Sequence, residues 1–264
     1  IVAVVAVSVT WAVTSTTSTS ALSPAAAKAD GFAVTDVDGA VIAQEGVDDS
    51  TSTEAGATSA ATPEPTPVVT EAPEIEIRVY VDYLSTGSAE FQLANAAQLS
   101  TWVDEGAVSL TYYPVAMLTA KSNGTKYSLR AAAASACVAT HASDAFFKFN
   151  NALLEQQPDV DADGYSDTEL ADIAQASGVS NPKVVRACIE DGDFLSWAKK
   201  ATERAVEEIP DTEGVQLTGT PLVLVNGSVY VGALDDPKEF AQFVLTIDSD
   251  AYYQTLSPTP TPTP

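Results

Sequence analysis

The sequence has few of the residues that usually carry catalytic or metal-binding chemistry. Of its 264 residues, only two are cysteine and one is histidine. Cys137 and Cys188 fit neither a Cys-x-x-Cys motif nor a zinc-ligand spacing. We interpret His141 as an ordinary surface or boundary residue. No Ser-His-Asp pattern is visible around Ser85 or Ser88, so the sequence does not support a hydrolase triad.

Basic residues are also scarce. The sequence contains 12 Lys and Arg residues and 36 Asp and Glu residues, which gives a formal net charge of −24. Such a surface repels phosphate backbones and anionic lipid head groups, so we expect no nucleic-acid partner. We interpret the acidic residues as a means of keeping the protein soluble in a salty or extracellular setting. The alternative is that they bind a specific cationic ligand.

The one long apolar run, residues 1–13, is too short to cross a bilayer, which needs about 20 residues. We expect residues 1–30 to be a truncated single-pass membrane anchor, with the folded domain on the outer side of the cell membrane. The alternative is a signal peptide cleaved near residues 25–27, which would give a secreted protein. Both interpretations place the domain outside the cytoplasm and limit membrane contact to this segment.

Two further segments lack the apolar residues of a core. Residues 31–74 are interpreted as a flexible linker, a disordered tether that holds the domain away from the membrane. A small hairpin is predicted within it, over residues 32–44, because Asp38-Gly39 is a two-residue turn signal. Residues 249–264 end in a Pro/Thr repeat that we expect to be an extended tail. The folded domain is therefore predicted over residues 75–248.

Periodicity within this domain predicts its elements. Residues 74–82 alternate with the period of a strand, residues 88–105 have helical spacing, and residues 107–113 form a second strand that stops at Pro114. This order predicts a βαβ unit with parallel pairing. Residues 126–208 are predicted to hold four helices with a potential fifth, with start or stop signals at Ser166, Asn181-Pro182 and Gly192. A hairpin around Asn226-Gly227 and a helix from Asp235 close the chain. The predicted class is α/β, a thioredoxin core with a helical insertion after its second strand.

Two segments resemble the DsbA-like branch of the thioredoxin superfamily. In that branch a strand ends in an aspartate and an aromatic residue, and a Cys-x-x-Cys pair lies on the first turn of the next helix. Here Asp82-Tyr83-Leu84 is followed by Ser85-Thr86-Gly87-Ser88, which looks like that motif with both sulfurs replaced by hydroxyls. Gly219-Thr220-Pro221 is similar to the family's Thr-cisPro segment, which faces the active site. The resemblance covers residues 75–247 and implies a DsbA-like fold in a family of thiol-disulfide oxidoreductases.

The serines contradict the chemistry that the resemblance implies. Disulfide exchange needs a thiolate nucleophile, and a serine hydroxyl cannot replace it. We interpret Ser85 as the cap of the helix and Ser88 as part of its first turn. The main alternative is a binding role for an extended peptide of another extracytoplasmic protein at six residues, Ser85, Thr86, Gly87, Ser88, Thr220 and Pro221. An engineered replacement of two cysteines is a third interpretation, disfavoured because Thr86-Gly87 differs from the family's usual Pro-aromatic pair.

The resemblance also bears on the two cysteines. It implies a structural disulfide between Cys137 and Cys188, as in actinobacterial relatives with a second bridge in the insertion. A bridge closing such a loop would contribute about 4 kcal/mol. The alternative function is a thiol-disulfide oxidoreductase that acts through these two cysteines at a non-standard site.

An acidic turn before Ser166 has part of a calcium-loop pattern. Aspartates occupy positions 1, 3, 5 and 9 and a glycine position 6 of that spacing: Asp159, Asp161, Asp163, Asp167 and Gly164. The twelfth position is Leu170, with Glu169 one place early, so any affinity should be weak. We interpret the segment as an acidic turn that leads into a capped helix, and weak calcium binding is the alternative. We expect no other cofactor.

Overall fold

The computed structural model describes residues 22–37 and 75–256, with side chains up to residue 249. The apolar run at residues 1–13, the turn at Asp38-Gly39, the remaining linker up to residue 74 and residues 257–264 of the predicted tail lie outside the described residues. The first part of that tail, residues 249–256, is helical instead of extended, because the closing helix continues to Leu256. No helix within the described ranges is long and apolar enough to span a membrane.

Within residues 22–37 and 75–256, five strands form one mixed sheet with the order β1-β3-β2-β4-β5. Their bounds are β1 Phe32–Ala33, β2 Ile75–Val81, β3 Val108–Pro114, β4 Leu222–Val225 and β5 Ser228–Val229. The strands β2 and β3 are parallel, from Ile75 opposite Val108 to Val81 opposite Pro114. The other neighbours are antiparallel. The predicted βαβ unit is therefore confirmed, and β2 lies at the centre of the sheet.

The described part of the chain contains seven α-helices. They are α1 Thr86–Asp104, α2 Tyr127–His141, α3 Phe146–Glu155, α4 Asp167–Ala176, α5 Pro182–Asp191, α6 Leu195–Glu207 and α7 Pro237–Leu256. Helices α2 to α6 form the insertion, so the fifth helix is present. A short 3-10 turn, Ser143–Ala145, precedes α3. The predicted α/β class with a helical insertion is confirmed.

Most local start and stop signals act as predicted. Ser166 and Glu169 form a reciprocal capping box at the start of α4, and Gly192 ends α5 with a φ of 68°. Asn226 and Gly227 have φ values of 46° and 78°, as the predicted type I′ turn requires. Asn181 differs from expectation, because its side chain makes no cap bond and instead donates to the carbonyl of His141 at 3.4 Å.

Residues 22–37 are part of the folded domain. Phe32 and Ala33, at the start of the predicted hairpin, pair with Tyr112 and Thr111 of β3, and residues 38–44 of that hairpin lie outside the described residues. The ring of Phe32 lies 5.6 Å from that of Phe146 and 5.4 Å from that of Trp197. These contacts leave the Phe32 side chain only 1% exposed, so this residue belongs to the core of the domain.

An ion pair fixes the same segment to α6. The guanidinium of Arg204 donates two hydrogen bonds of 2.7 Å to the carboxylate of Asp30. Gly31 lies against β3 so closely that an added Cβ would fall 2.5 Å from a side-chain atom of Thr111. Residues 22–37, which the sequence placed in the anchor and the linker, are thus attached to the sheet and to the insertion.

Candidate functional site

The helix start at Ser85 and the segment around Pro221 meet at the carboxyl end of β2. The Ser85 hydroxyl donates a hydrogen bond of 2.7 Å to the carbonyl oxygen of Thr220. The Thr220–Pro221 peptide bond is cis. The carbonyl of Ser85 accepts a hydrogen bond of 3.0 Å from the Gln157 side chain. The structure therefore brings together the two sequence segments that carry the resemblance, and the chain just after α3 adjoins them.

Both serines of the motif have structural partners. Ser85 is the N-cap of α1, and its Oγ accepts from the amide of Ser88 at 3.4 Å. The Oγ of Ser88 accepts from the amide of Asp82 at 3.3 Å. The two residues are only 6% and 1% exposed. As arranged, these hydroxyls hold the helix start in place.

Gly87 lies in a tight contact between three segments. A Cβ atom placed on Gly87 would lie 3.1 Å from Cδ of Pro221 and 3.3 Å from the carbonyl oxygen of Thr220. It would also lie 3.2 Å from Cδ1 of Leu234, in the loop that precedes α7. No local sequence pattern identified this third segment, because its approach depends on the position of α7. Thr86, in contrast, is exposed beside this junction.

Asp82 is a buried carboxylate beneath the helix start. Its Oδ1 accepts from the amide of Leu84 at 2.9 Å and from the Ser128 hydroxyl at 2.7 Å, while Oδ2 accepts from the amide of Leu118 at 2.8 Å. Burial raises the pKa of Asp82, and hydrogen bonds from Leu118, Leu84 and Ser128 partly offset that effect. The carboxylate therefore connects the end of β2, the loop after β3 and the start of α2. Sequence reasoning identified Asp82 but not Ser128, whose partner is 46 residues away.

Cys137 and Cys188 are joined by a disulfide that links α2 to α5. They are only 1% and 3% exposed, and the described chain has no free cysteine. Cys137 follows Ser128 by nine residues on α2, a rise of about 14 Å along the helix. The disulfide is therefore separate from the Ser85 junction.

His141 ends α2, thirteen residues after Ser128, and thus about 20 Å along the helix from the Asp82 site. A base must come within about 3 Å of a hydroxyl to activate it. His141 therefore cannot act on Ser85 in this structure, and the serines gain no histidine base.

The aspartates of the predicted calcium loop are not gathered around one point. Asp167 pairs with Arg130 at 2.9 Å, and Asp163 accepts a hydrogen bond of 3.0 Å from Asn123. Asp159 and Asp161 are exposed. No group of three or more His, Cys, Asp or Glu side chains in residues 22–37 and 75–249 is placed to hold a metal ion. The calcium interpretation is not supported, because other side chains engage two of its four carboxylates.

Comparison with known proteins agrees with this geometry. A family model described as thioredoxin matches residues 70–249. Among curated proteins, the serine/threonine-protein kinase PknE of Mycobacterium tuberculosis is 29% identical over 172 residues, which are 64% of this chain. The chain spans only 29% of the length of that kinase.

Solved structures show the same relationship. The reduced form of the disulfide bond oxidoreductase DsbG from Mycobacterium tuberculosis has a TM-score of 0.57 and 26% identity, over 73% of this chain and 90% of that one. Oxidised DsbA from Mycobacterium tuberculosis has a TM-score of 0.57 and 28% identity, over 70% and 88%. The thiol-disulfide oxidoreductase MdbA of Corynebacterium matruchotii shares the fold at 18% identity, with a TM-score of 0.54 over 63% and 81%. The chain belongs to the thioredoxin family, and its structure is of the DsbA-like type.

Proposed function

We propose that this domain is an extracytoplasmic, redox-inactive member of its family that binds an extended segment of another protein at the Ser85–Pro221 junction. The observation that carries the proposal is the hydrogen bond of 2.7 Å from the Ser85 hydroxyl to the Thr220 carbonyl. This hydrogen bond keeps the start of α1 next to the Pro221 segment, although the site contains no sulfur atom.

Loss of redox activity is expected from the chemistry of the residues. Thiol-disulfide exchange passes through a mixed disulfide, so it needs an accessible sulfur. Ser85 and Ser88 supply none, and both cysteines are buried in a disulfide that links α2 to α5, away from the Ser85 junction. Nothing in the described structure favours the alternative function, catalysis through Cys137 and Cys188.

A binding role is supported by the open backbone before β4. Thr218 and Gly219 are exposed, and their amide groups donate to no other group of the described chain. A Cβ atom on Gly219 would meet nothing within 4 Å. An extended peptide can form main-chain hydrogen bonds with such an edge, as in β-strand addition.

The disulfide also supports a location outside the cytoplasm, because disulfides persist in oxidising compartments. A membrane anchor in the first residues stays a prediction from the sequence. Titration of the native protein with a thiol reagent should find no reactive thiol, whereas two reactive thiols would contradict this part of the proposal.

Redox inactivity can be tested with the protein and one variant. We expect the protein to reduce insulin at the rate of the buffer blank, and the double variant S85C/S88C to gain activity above it, because a helix N-terminus lowers the pKa of a cysteine. The variant shows that the assay detects a thiol pair in this geometry. Turnover by the unaltered protein would refute the proposal.

Binding can be tested with ribonuclease A that is reduced and carboxamidomethylated, an unfolded chain without free thiols. The protein should bind it, and Gly219→Tyr should weaken binding at least about tenfold. A tyrosine side chain fits at Gly219 without a clash, because the space around it is open, and it would cover the exposed backbone of Thr218 and Gly219. Ser228→Tyr, on the exposed β5 beyond the other end of β4, is the matched control. Equal binding by both variants would show that the edge is not the site.

A further inference from the structure

The junction of Ser85, Gly87, Pro221 and Leu234 is bordered by exposed carboxylates. Glu90 lies four residues after Thr86 on α1, so the two exposed side chains share one face of the helix. Asp235 and Asp236 directly follow Leu234, whose side chain adjoins Gly87. Glu239 accepts a hydrogen bond of 3.2 Å from the amide of Ala233, which holds its carboxylate against the same loop.

Carboxylates also occur on the other side of the junction. Gln157 donates to the carbonyl of Ser85 at 3.0 Å, and Asp159 follows two residues later. The backbone amide of Asp161 donates a hydrogen bond of 2.9 Å to the carbonyl of Lys121, which lies in the loop after β3. Asp159, Asp161 and Asp163 are all exposed. We call seven exposed carboxylates the acidic rim: Glu90, Asp159, Asp161, Asp163, Asp235, Asp236 and Glu239.

Few cations oppose the acidic rim. The segments that carry it and the loop after β3 contain three exposed lysines, Lys121, Lys126 and Lys238. A group of negatively charged carboxylates around a site creates a local electrostatic potential that attracts cations and repels anions. Two exposed apolar side chains lie close by in the chain, Val231 at 89% exposed in the loop before α7 and Leu93 at 47% exposed on the face of α1 that carries Thr86 and Glu90.

We infer that the segment bound at this junction is basic, with lysine or arginine residues that face the acidic rim and apolar residues that cover Val231 and Leu93. This inference rests on the proposed function and specifies the charge of its ligand. Charge complementarity of this kind selects among partners and speeds association more than it adds to the contact itself.

Three labelled peptides of equal length test the inference by fluorescence anisotropy. They share their apolar residues and carry Lys, Ser or Glu at the same alternating positions. We expect the Lys peptide to bind at least about tenfold more tightly than the Ser peptide, and the Glu peptide most weakly. The advantage should shrink as salt is added, because exposed charges are screened over about 10 Å at 0.1 M salt.

Two double variants separate the acidic rim from the overall charge of the protein. E90K/D235K should weaken binding of the Lys peptide about tenfold. D144K/E213K changes the net charge equally but lies elsewhere, beyond the end of α2 and in the loop beside Gly227, and should change binding less than about twofold. Asp236 is left intact because it accepts from the amides of Lys238 and Glu239 at the start of α7.

The outcomes distinguish the two proposals. If all three peptides bind equally, the basic preference is refuted while peptide binding stands. If none binds, peptide binding itself is refuted, and the preference with it. If both double variants weaken binding equally, the preference comes from the overall acidity of the chain, and the inference about the acidic rim is overturned.

Discussion

Replacing Ser85 with alanine tests whether its hydroxyl connects the helix start to the Pro221 segment. Alanine removes an N-cap bond, which contributes about 1 kcal/mol in typical helices. It also removes the bond of 2.7 Å to the Thr220 carbonyl, worth about 1 kcal/mol more. We therefore expect the free energy of unfolding to fall by about 2 kcal/mol, measured by urea denaturation monitored by circular dichroism.

The matched control is Thr86→Ala. Thr86 is the next residue and is exposed, so its loss should cost less than about 0.5 kcal/mol. In a domain of this size the Ser85 variant should melt about 6 °C lower than the protein. A Ser85 variant as stable as the protein would refute the argument that the hydroxyl bridges the two segments. Equal losses in the two variants would show that the loop, rather than the bond, is sensitive to substitution.

Two further predictions concern buried groups. Removing the disulfide in C137A/C188A should lower the free energy of unfolding by about 4 kcal/mol, measured by urea denaturation, and an unchanged midpoint would contradict a structural role. Because burial raises the pKa of Asp82, its contribution to stability is fully present below the pKa of an unfolded aspartate and is lost as the pH rises through the folded value. Asp82→Asn should therefore flatten the loss of stability from about pH 4 upward, and identical pH profiles would refute the assignment of that slope to Asp82.

Local sequence patterns predicted those features of the fold that depend on neighbouring residues. The alternation over residues 75–81 produced the central strand, and the Asn226-Gly227 turn adopts the positive φ values that the pair favours. The capping box at Ser166 forms because both of its partners lie within one helical turn. Likewise Ser85 caps α1, since a serine before an apolar helical run commonly does so.

Features that depend on distant residues were not predictable in the same way. Phe32 pairs with β3 because Phe146 and Trp197 provide an apolar surface, and no local pattern around residue 32 reveals them. The contact of Leu234 with Gly87 depends on where α7 lies. In the acidic turn with the calcium-loop spacing, no local pattern reveals that Arg130 engages Asp167 and Asn123 engages Asp163.

The pairing of β1 with β3 fixes residues 22–37 on the sheet that has β2 at its centre. Mechanical tension applied to the chain at Leu22 would therefore act first on the Asp30–Arg204 ion pair and then on the Phe32–Ala33 pairing, before it reached the central strand.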